Sequence, residues 1–311
     1  MVRVLRSQAD TFSCVLFPSL CRICQDPLLL FSRVPICSSC WKQLPTQTEP
    51  LCRLCGDALQ GIPDDALCRN CTMAPPAFSR AVAHGVYRTH LRAMIHLLKY
   101  DGMRRLAEPL GRLLAAQVAA MEGLPAEMTV IPVPLFARKY RQRGFNQAEV
   151  LARAVIRSLR ESRPECSLRL AVNALERRRE TESHAGLNPS QRRRNVRGAF
   201  FVPKPDGIRD GHILLVDDIY TTGATARACS QVLRKAGAKS VTVATVARAQ
   251  LQLDALAPHG EESRMEEDVA RWDSPATGEN GFAAMEAISE RESEGRQLDG
   301  RGLVGRGLDG T

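Results

Sequence analysis

Apolar positions along the chain alternate between two periods. Ile213 to Val216 run four apolar residues without a polar break, the pattern of a strand buried on both faces of a parallel sheet. Asp217 and Asp218 stand where that strand is expected to end, and a small, hydroxyl-rich run follows: Thr221, Thr222, Gly223, Ala224 and Thr225. The spacing then turns helical, with Cys229, Val232 and Leu233 as apolar positions. Met128 to Val133 is a second short apolar strand, closed by Pro132 and Pro134, and residues 135–149 lead from it into a helix carrying Leu151, Val155 and Leu159. Phe78 to Tyr87, Ser167 to Val172 and Val241 to Val246 read as further strands, and Ala199 to Val202 is expected to return the chain to the sheet. Two helices are marked by Leu91, Met94, Ile95 and Leu98, and by Leu106, Leu110, Leu113, Leu114 and Val118. Strands alternating with helices predict an α/β fold: a doubly wound, mostly parallel sheet with its ligand loops at the strand C-terminal edge.

The stretch after Val216 carries chemistry. Strand, acid pair, small-residue turn and helix start make a phosphate site, because exposed backbone N–H groups and the positive end of the helix dipole face an anion. Gly223 lets the backbone come close to a ligand. A lone phosphate does not call for two acids beside it, but a phosphorylated sugar does, since carboxylates accept from ribose hydroxyls or act through a divalent metal. The plain alternative is an ordinary strand-to-helix turn with an aspartate pair. The loop after Val133 is cationic, with Arg138, Lys139, Arg141 and Arg143 before Gly144, and suits an anionic ligand. Lys99, ending a helix, either points at this site or is a plain helix-end lysine.

Eight of the eleven cysteines fall in four Cys-x-x-Cys pairs, Cys21/Cys24, Cys37/Cys40, Cys52/Cys55 and Cys68/Cys71. Each cysteine of the first two pairs recurs 31 positions later, so one small unit is duplicated. Twelve residues separate the pairs within a unit, the spacing of a zinc ribbon in which two knuckles give four thiolates to one tetrahedral Zn²⁺. Disulfides are the alternative, disfavoured in a reducing cytoplasm. The module therefore calls for structural Zn²⁺, with two ions if both units are loaded. Cys14, Cys166 and Cys229 fall outside the pattern and read as small apolar residues.

Charge changes the picture at the two ends. The net charge is +9, but Leu251 to Thr311 holds 14 acidic and 6 basic residues, which leaves about +17 on the first 250. That excess suits anionic partners, polyphosphates or nucleic acid. No apolar run reaches the ~18 residues of a spanning helix, and the broken apolar pattern of the first 20 residues reads as an amphipathic lead-in, which places the protein in the cytoplasm. Four segments result: 1–20 lead-in, 21–74 double ribbon, 75–250 α/β domain, and 251–311, an acidic, Gly-rich tail too polar to order itself. Residues 175–198 form a long basic segment within the α/β domain, where a loop of that length is usually functional.

The run from Ile213 to Thr225 resembles the phosphoribosyl-pyrophosphate (PRPP) loop of type I phosphoribosyltransferases: four apolar residues, two acids, two variable residues (Ile219 and Tyr220), then Thr-Thr-Gly-Ala-Thr. Pro-Val-Pro at 132–134, Arg-Gly-Phe-Asn-Gln-Ala-Glu at 143–149 and this loop, behind a double ribbon, closely resemble the ComF family of competence-associated proteins, from about Leu16 to Arg248. The resemblance implies PRPP–Mg²⁺ binding with Asp217 and Asp218 at the ribose hydroxyls. It places PRPP on Ile219 to Thr225, with the 5′-phosphate on Thr221 to Thr225, and pyrophosphate on Arg143, Arg138 and Gly144. Arg179 and Thr181 match the family's Arg-x-Thr on a segment that folds over the ligand, while His184 stands where the family commonly has Gln. It implies phosphoribosyl transfer with pyrophosphate release, linked to DNA uptake. The alternative is a non-catalytic sensor of PRPP or nucleotide, or a factor that grips single-stranded DNA or meets DNA-uptake proteins.

Overall fold

The structure is a computed structural model that describes residues 19–28, 32–47, 50–59, 66–180 and 196–250. The lead-in up to residue 18, Thr181, His184, the arginines at 192–194 and the tail from residue 251 lie outside the described residues.

The duplication read from the cysteines extends to the backbone. In the first unit β1 (Ser19–Leu20) pairs antiparallel with β2 (Pro27–Leu28), and the second cysteine pair opens the short helix α1 (Ser38–Lys42). In the second unit an isolated bridge joins Leu51 to Ala58, and the second pair opens α2 (Arg69–Met73). Each of these features lies 31 positions after its counterpart, as do the left-handed residues of the two knuckle turns, Gln25 and Gly56.

The α/β part follows as β3 (Arg80–Val86), α3 (Thr89–Lys99), α4 (Ala107–Ala119), β4 (Glu127–Pro132), α5 (Ala137–Arg143), α6 (Gln147–Ser162), β5 (Ser167–Leu170), β6 (Glu176–Arg177), β7 (Phe200–Phe201), β8 (His212–Tyr220), α7 (Ala224–Lys235) and β9 (Ser240–Arg248). Five strands form one sheet in the order β3-β9-β8-β4-β5, and every neighbouring pair is parallel. From β4 the chain moves outward to β5, then returns to β8 and continues the other way to β9. The strand order therefore reverses between β4 and β8, and the crevice beyond their C-terminal ends is where open α/β sheets take their ligands.

Side-chain alternation explains the layers. Leu214 and Val216 point into a core with α3, α4 and α6, while Ile213 and Leu215 point into a second core with α7. All four are at most 1% exposed, and burying each contributes about 1.5–3 kcal/mol before chain entropy is counted. The two ribbons divide between these cores: Cys21, Leu28, Ile36 and Cys40 join the first, and Cys52, Cys55, Leu59, Cys68 and Cys71 the second. The link between them crosses the free edge of β3, where Thr46 bridges to Gly85. A Cβ at Gly85 would stand 1.9 Å from the Pro45 carbonyl oxygen, so only glycine admits that crossing.

Three expectations need correction. The strand does not stop at the acid pair: β8 runs on through Asp217 and Asp218 to Tyr220, because β9 offers ladder partners as far as Arg248. The cationic segment after Val133 is not an open loop, since Ala137 to Arg143 forms a helix that ends at the left-handed Gly144. Phe200 and Phe201 do not rejoin the main sheet. They pair with Glu176 and Arg177 in a separate antiparallel hairpin at the base of the long basic segment.

Candidate functional site

Two loops meet at the reversal point, one from β4 and one from β8. Asn146 fixes the first. Its Nδ2 donates to the Val133 carbonyl at 3.0 Å and its Oδ1 accepts from the Ala148 N–H at 3.0 Å, so one buried side chain both caps α6 and ties the loop to its strand. Arg104 donates to the Gly144 carbonyl at 2.9 Å and lies 4.5 Å over the Phe145 ring, holding the Arg-Gly-Phe turn from α4's side. Arg143 contacts Gln147 and stands 5.3 Å over the Tyr100 ring. Arg138 and Arg141 are exposed, and Arg138 reaches Glu180 at 3.6 Å.

The second loop is a non-helical turn at Thr221 to Gly223 between β8 and α7. Gly223 sits at φ +73, where an L side chain is strained, and a Cβ there would stand 2.1 Å from the Tyr220 hydroxyl oxygen. Being glycine, it gives α7 no side-chain cap, so the first amides of that helix are left for another acceptor. Thr222 Oγ1 is buried with no hydrogen-bond partner. Ala224 is buried and Thr225 half-buried in the first turn of α7, and Ile219 is half-buried on β8.

The acid pair is split across the sheet. Asp218 is 4% exposed and shares its face with Leu214 and Val216, where its Oδ2 lies 2.5 Å from Lys99 Nζ at the end of α3. That contact closes Asp218 Oδ2 against the lysine as a buried ion pair. Asp217 keeps partial contact with solvent, and its Oδ1 accepts from the Asp218 N–H at 2.9 Å. Protein packed around Asp217 pushes its carboxyl up to about 7, against the pull of Lys99, Arg177 and Arg143. The pair is therefore not one two-pronged clamp: one acid is closed against a lysine, and the other, on the opposite face, keeps partial contact with solvent.

Arg179, on the far side of β6, donates to the Arg197 carbonyl at 2.9 Å, outside this group, and Thr181 lies outside the described residues. Lys99 does point at the acid pair. Arg177, which the basic segment did not single out, lies within electrostatic reach of Asp217. Its signal was present but weak: an arginine just where the long basic segment leaves the packed domain.

Both sets of four cysteines converge. Within each set the Sγ atoms lie within 4.8 Å of one another, with Cys21–Cys40 at 3.8 Å, Cys24–Cys37 at 3.5 Å and Cys55–Cys68 at 3.6 Å. A tetrahedron with metal–sulfur bonds of about 2.3 Å has edges of about 3.8 Å, so both sets fit zinc. These separations exclude disulfides, and every described cysteine is free. The cysteines group within units, 21-24-37-40 and 52-55-68-71, as one four-thiolate site per unit requires. Each unit also aims N–H groups at one thiol: Cys37 N–H reaches Cys21 Sγ at 3.4 Å and Cys68 N–H reaches Cys52 Sγ at 3.3 Å. Burial works against ionisation at these two sulfurs, but the donors outweigh it and bring both down to about 7, favouring the ligating thiolate. Cys166 and Cys229 are buried apart from the clusters, as read.

Residues 12–72 match the double zinc ribbon domain, and residues 146–269 match the phosphoribosyl transferase domain. The chain is similar to the DNA utilization protein YhgH of Escherichia coli O157:H7, 33% identical over 229 residues, 73% of this chain and 95% of that protein. It is similar to Competence protein F of Haemophilus influenzae, 31% identical over 218 residues, 69% of this chain and 90% of that one. Competence protein ComFC of Streptococcus pneumoniae is 29% identical over 175 residues, 54% of this chain and 69% of that one. A duplicated four-cysteine module joined to a parallel sheet with this turn, and relatives matched over nearly their whole length, place the chain in the ComF family of competence-associated proteins, which unites a double zinc ribbon with a type I phosphoribosyltransferase domain.

Proposed function

We propose that this protein binds PRPP with Mg²⁺ and transfers its phosphoribosyl group with release of pyrophosphate. The observation that carries the reading is Thr222 Oγ1, a buried hydroxyl without a partner, beside a left-handed glycine at the uncapped start of α7. A phosphate oxygen satisfies both the hydroxyl and the free amides of the first helical turn. In this reading Thr221 to Thr225 cradle the 5′-phosphate, and Ile219 and Tyr220 lead the strand into that cradle. Asp217 accepts from a ribose hydroxyl, and Asp218 does the same once Lys99 turns to a phosphate. A Mg²⁺ arriving with PRPP would be met by the Asp217 and Asp218 carboxylates and would supply neutralising charge for the departing pyrophosphate. Arg143, Arg138 and Gly144 hold pyrophosphate across the crevice, and Arg179 and Thr181 close over the ligand. Catalysis then comes from positioning and fixed charge at a cation-like transition state. The domain limits near residues 21, 75 and 251 and a cytoplasmic location belong to the same proposal.

A second reading has its own support. Tyr100 and Tyr140 are 43% and 48% exposed among Arg138, Arg141 and Arg143. Exposed rings interleaved with cations suit single-stranded nucleic acid, and relatives are named for DNA utilization and competence. In that reading the domain senses PRPP or grips DNA without turnover.

The deciding experiment is a screen of bases and amines for PRPP-dependent pyrophosphate release. Release by the wild type that is lost in Asp217→Asn supports transfer. DNA binding with a steep salt dependence and no release with any acceptor supports the second reading.

A further inference from the structure

The two cysteine clusters are alike in sequence but differ in surroundings. In the second, Cys52, Cys55, Cys68 and Cys71 are all buried. In the first, Cys24 is exposed and Cys37 half-buried, and Cys24 Sγ lies 3.3 Å from the Asp26 carboxylate.

Two arginines of the α/β domain reach into the second cluster. Arg248, the last residue of β9 and 5% exposed, donates to the Cys55 carbonyl at 2.6 Å, and its other arm lies 3.5 Å from Cys55 Sγ. The same guanidinium pairs with Asp57 at 3.1 Å and lies 4.3 Å over the Tyr220 ring. Tyr220 is buried and meets Phe78 edge-on, with centroids 6.3 Å apart. Its hydroxyl fills the space beneath Gly223. Arg227, in the first turn of α7, donates to the Ala74 carbonyl at 2.6 Å, and its second nitrogen lies 3.7 Å from Cys71 Sγ. Thus both ends of the turn are tied to one cluster: its floor through Tyr220 and Arg248, and its helix through Arg227.

Charge supports the same grouping. Four thiolates on a divalent ion carry a net charge of about −2, and the buried Arg248 and half-buried Arg227 guanidinium groups beside the thiolates offset part of it, with Asp57 paired to Arg248. Hydrogen bonds to the sulfurs fix the arginines, and the arginines fix the turn.

We infer that Tyr220 and Arg248 are positioning residues for the turn Thr221–Gly223, and that the second zinc cluster, not the first, is the anchor that holds them. The inference takes this turn as the phosphate site proposed above. By thermodynamic reciprocity, an anion bound at the turn must then tighten binding of the second zinc.

The test uses the full-length, zinc-loaded protein and Arg248→Met. Amide exchange of residues 220–227 is followed by mass spectrometry without ligand, alongside zinc content and Mg²⁺–PRPP titration. Two bound zinc ions, exchange at the turn at least ~10-fold faster than wild type and comparably weakened PRPP binding are expected. Unchanged exchange at the turn overturns the inference, whether or not PRPP binds. Faster exchange in a protein whose wild type does not bind PRPP upholds it and instead rejects the phosphate reading. If Arg248→Met does not fold, chelator-driven zinc release from the wild type decides. The phase missing from Cys24→Ser marks the first cluster. Loss of protection at the turn in step with the other phase is expected, and loss in step with the first cluster, or with neither, overturns the inference.

Discussion

Asp217 makes the proposed ligand binding depend on pH. Its carboxyl is raised to about 7, chiefly by burial, so at pH 6 about one molecule in eleven carries the charge and at pH 8 about ten in eleven. If only the charged form accepts from the ribose, apparent affinity for Mg²⁺–PRPP rises about tenfold between those values, or about 1.4 kcal/mol. The phosphates of PRPP titrate in the same range, so the informative quantity is the slope lost in Asp217→Asn, measured by calorimetry at several pH values. Stability moves the opposite way. The native state keeps this proton between the unfolded value near 3.9 and about 7, whereas the unfolded chain does not, so stability falls as pH rises through that window. The full shift corresponds to at most about 4 kcal/mol, and the solvent that reaches Asp217 reduces it. Urea unfolding of wild type and Asp217→Asn from pH 4 to 8 reads this directly. Identical pH slopes for the two proteins, in binding and in unfolding, refute the reasoning.

Removing one member of a buried ion pair strands the other, so Lys99→Met is expected to cost about 3 kcal/mol in urea unfolding and much less in an Asp218→Asn background. Equal costs in both backgrounds would show that the pair is not coupled. Asn146→Ala removes a helix cap and a buried bond to Val133, an expected loss of about 2 kcal/mol with weakened pyrophosphate binding. Metal analysis of the intact chain is expected to give two zinc ions, and Cys21→Ser or Cys52→Ser one each, with a strong chelator unfolding the ribbons by far-ultraviolet dichroism.

Much of this architecture was legible because strong local patterns agreed with the fold. The unbroken run Ile213 to Val216 carried the pattern of a strand covered on both faces, and two cores cover it. The cysteine offset favoured one metal per unit, since a repeated unit folds the same way twice, and the folded chain groups the ligands that way. Boundaries were less legible. Nothing in Asp217 to Tyr220 reveals that β9 continues alongside and draws the acids into the strand. The acids consequently face different layers, because strand alternation sends neighbours to opposite sides. Arg138 to Arg143 looked like an open cationic loop because its helix buries nothing and so leaves no apolar period to read. The roles of Lys99 and Arg248 were the least visible. Their partners, Asp218 and Cys55, lie more than a hundred residues away, and only the tertiary fold brings them together.

The central claim is that the turn from Thr221 to Thr225 receives the 5′-phosphate of PRPP. Phosphorus-31 resonance spectra of Mg²⁺–PRPP separate that phosphate from the pyrophosphate, with wild type and Gly223→Ala compared at equal concentration. A shifted or broadened 5′-phosphate signal with the wild type, restored to its free position with Gly223→Ala, is the expected result. A 5′-phosphate signal that the wild type leaves at its free position contradicts the claim.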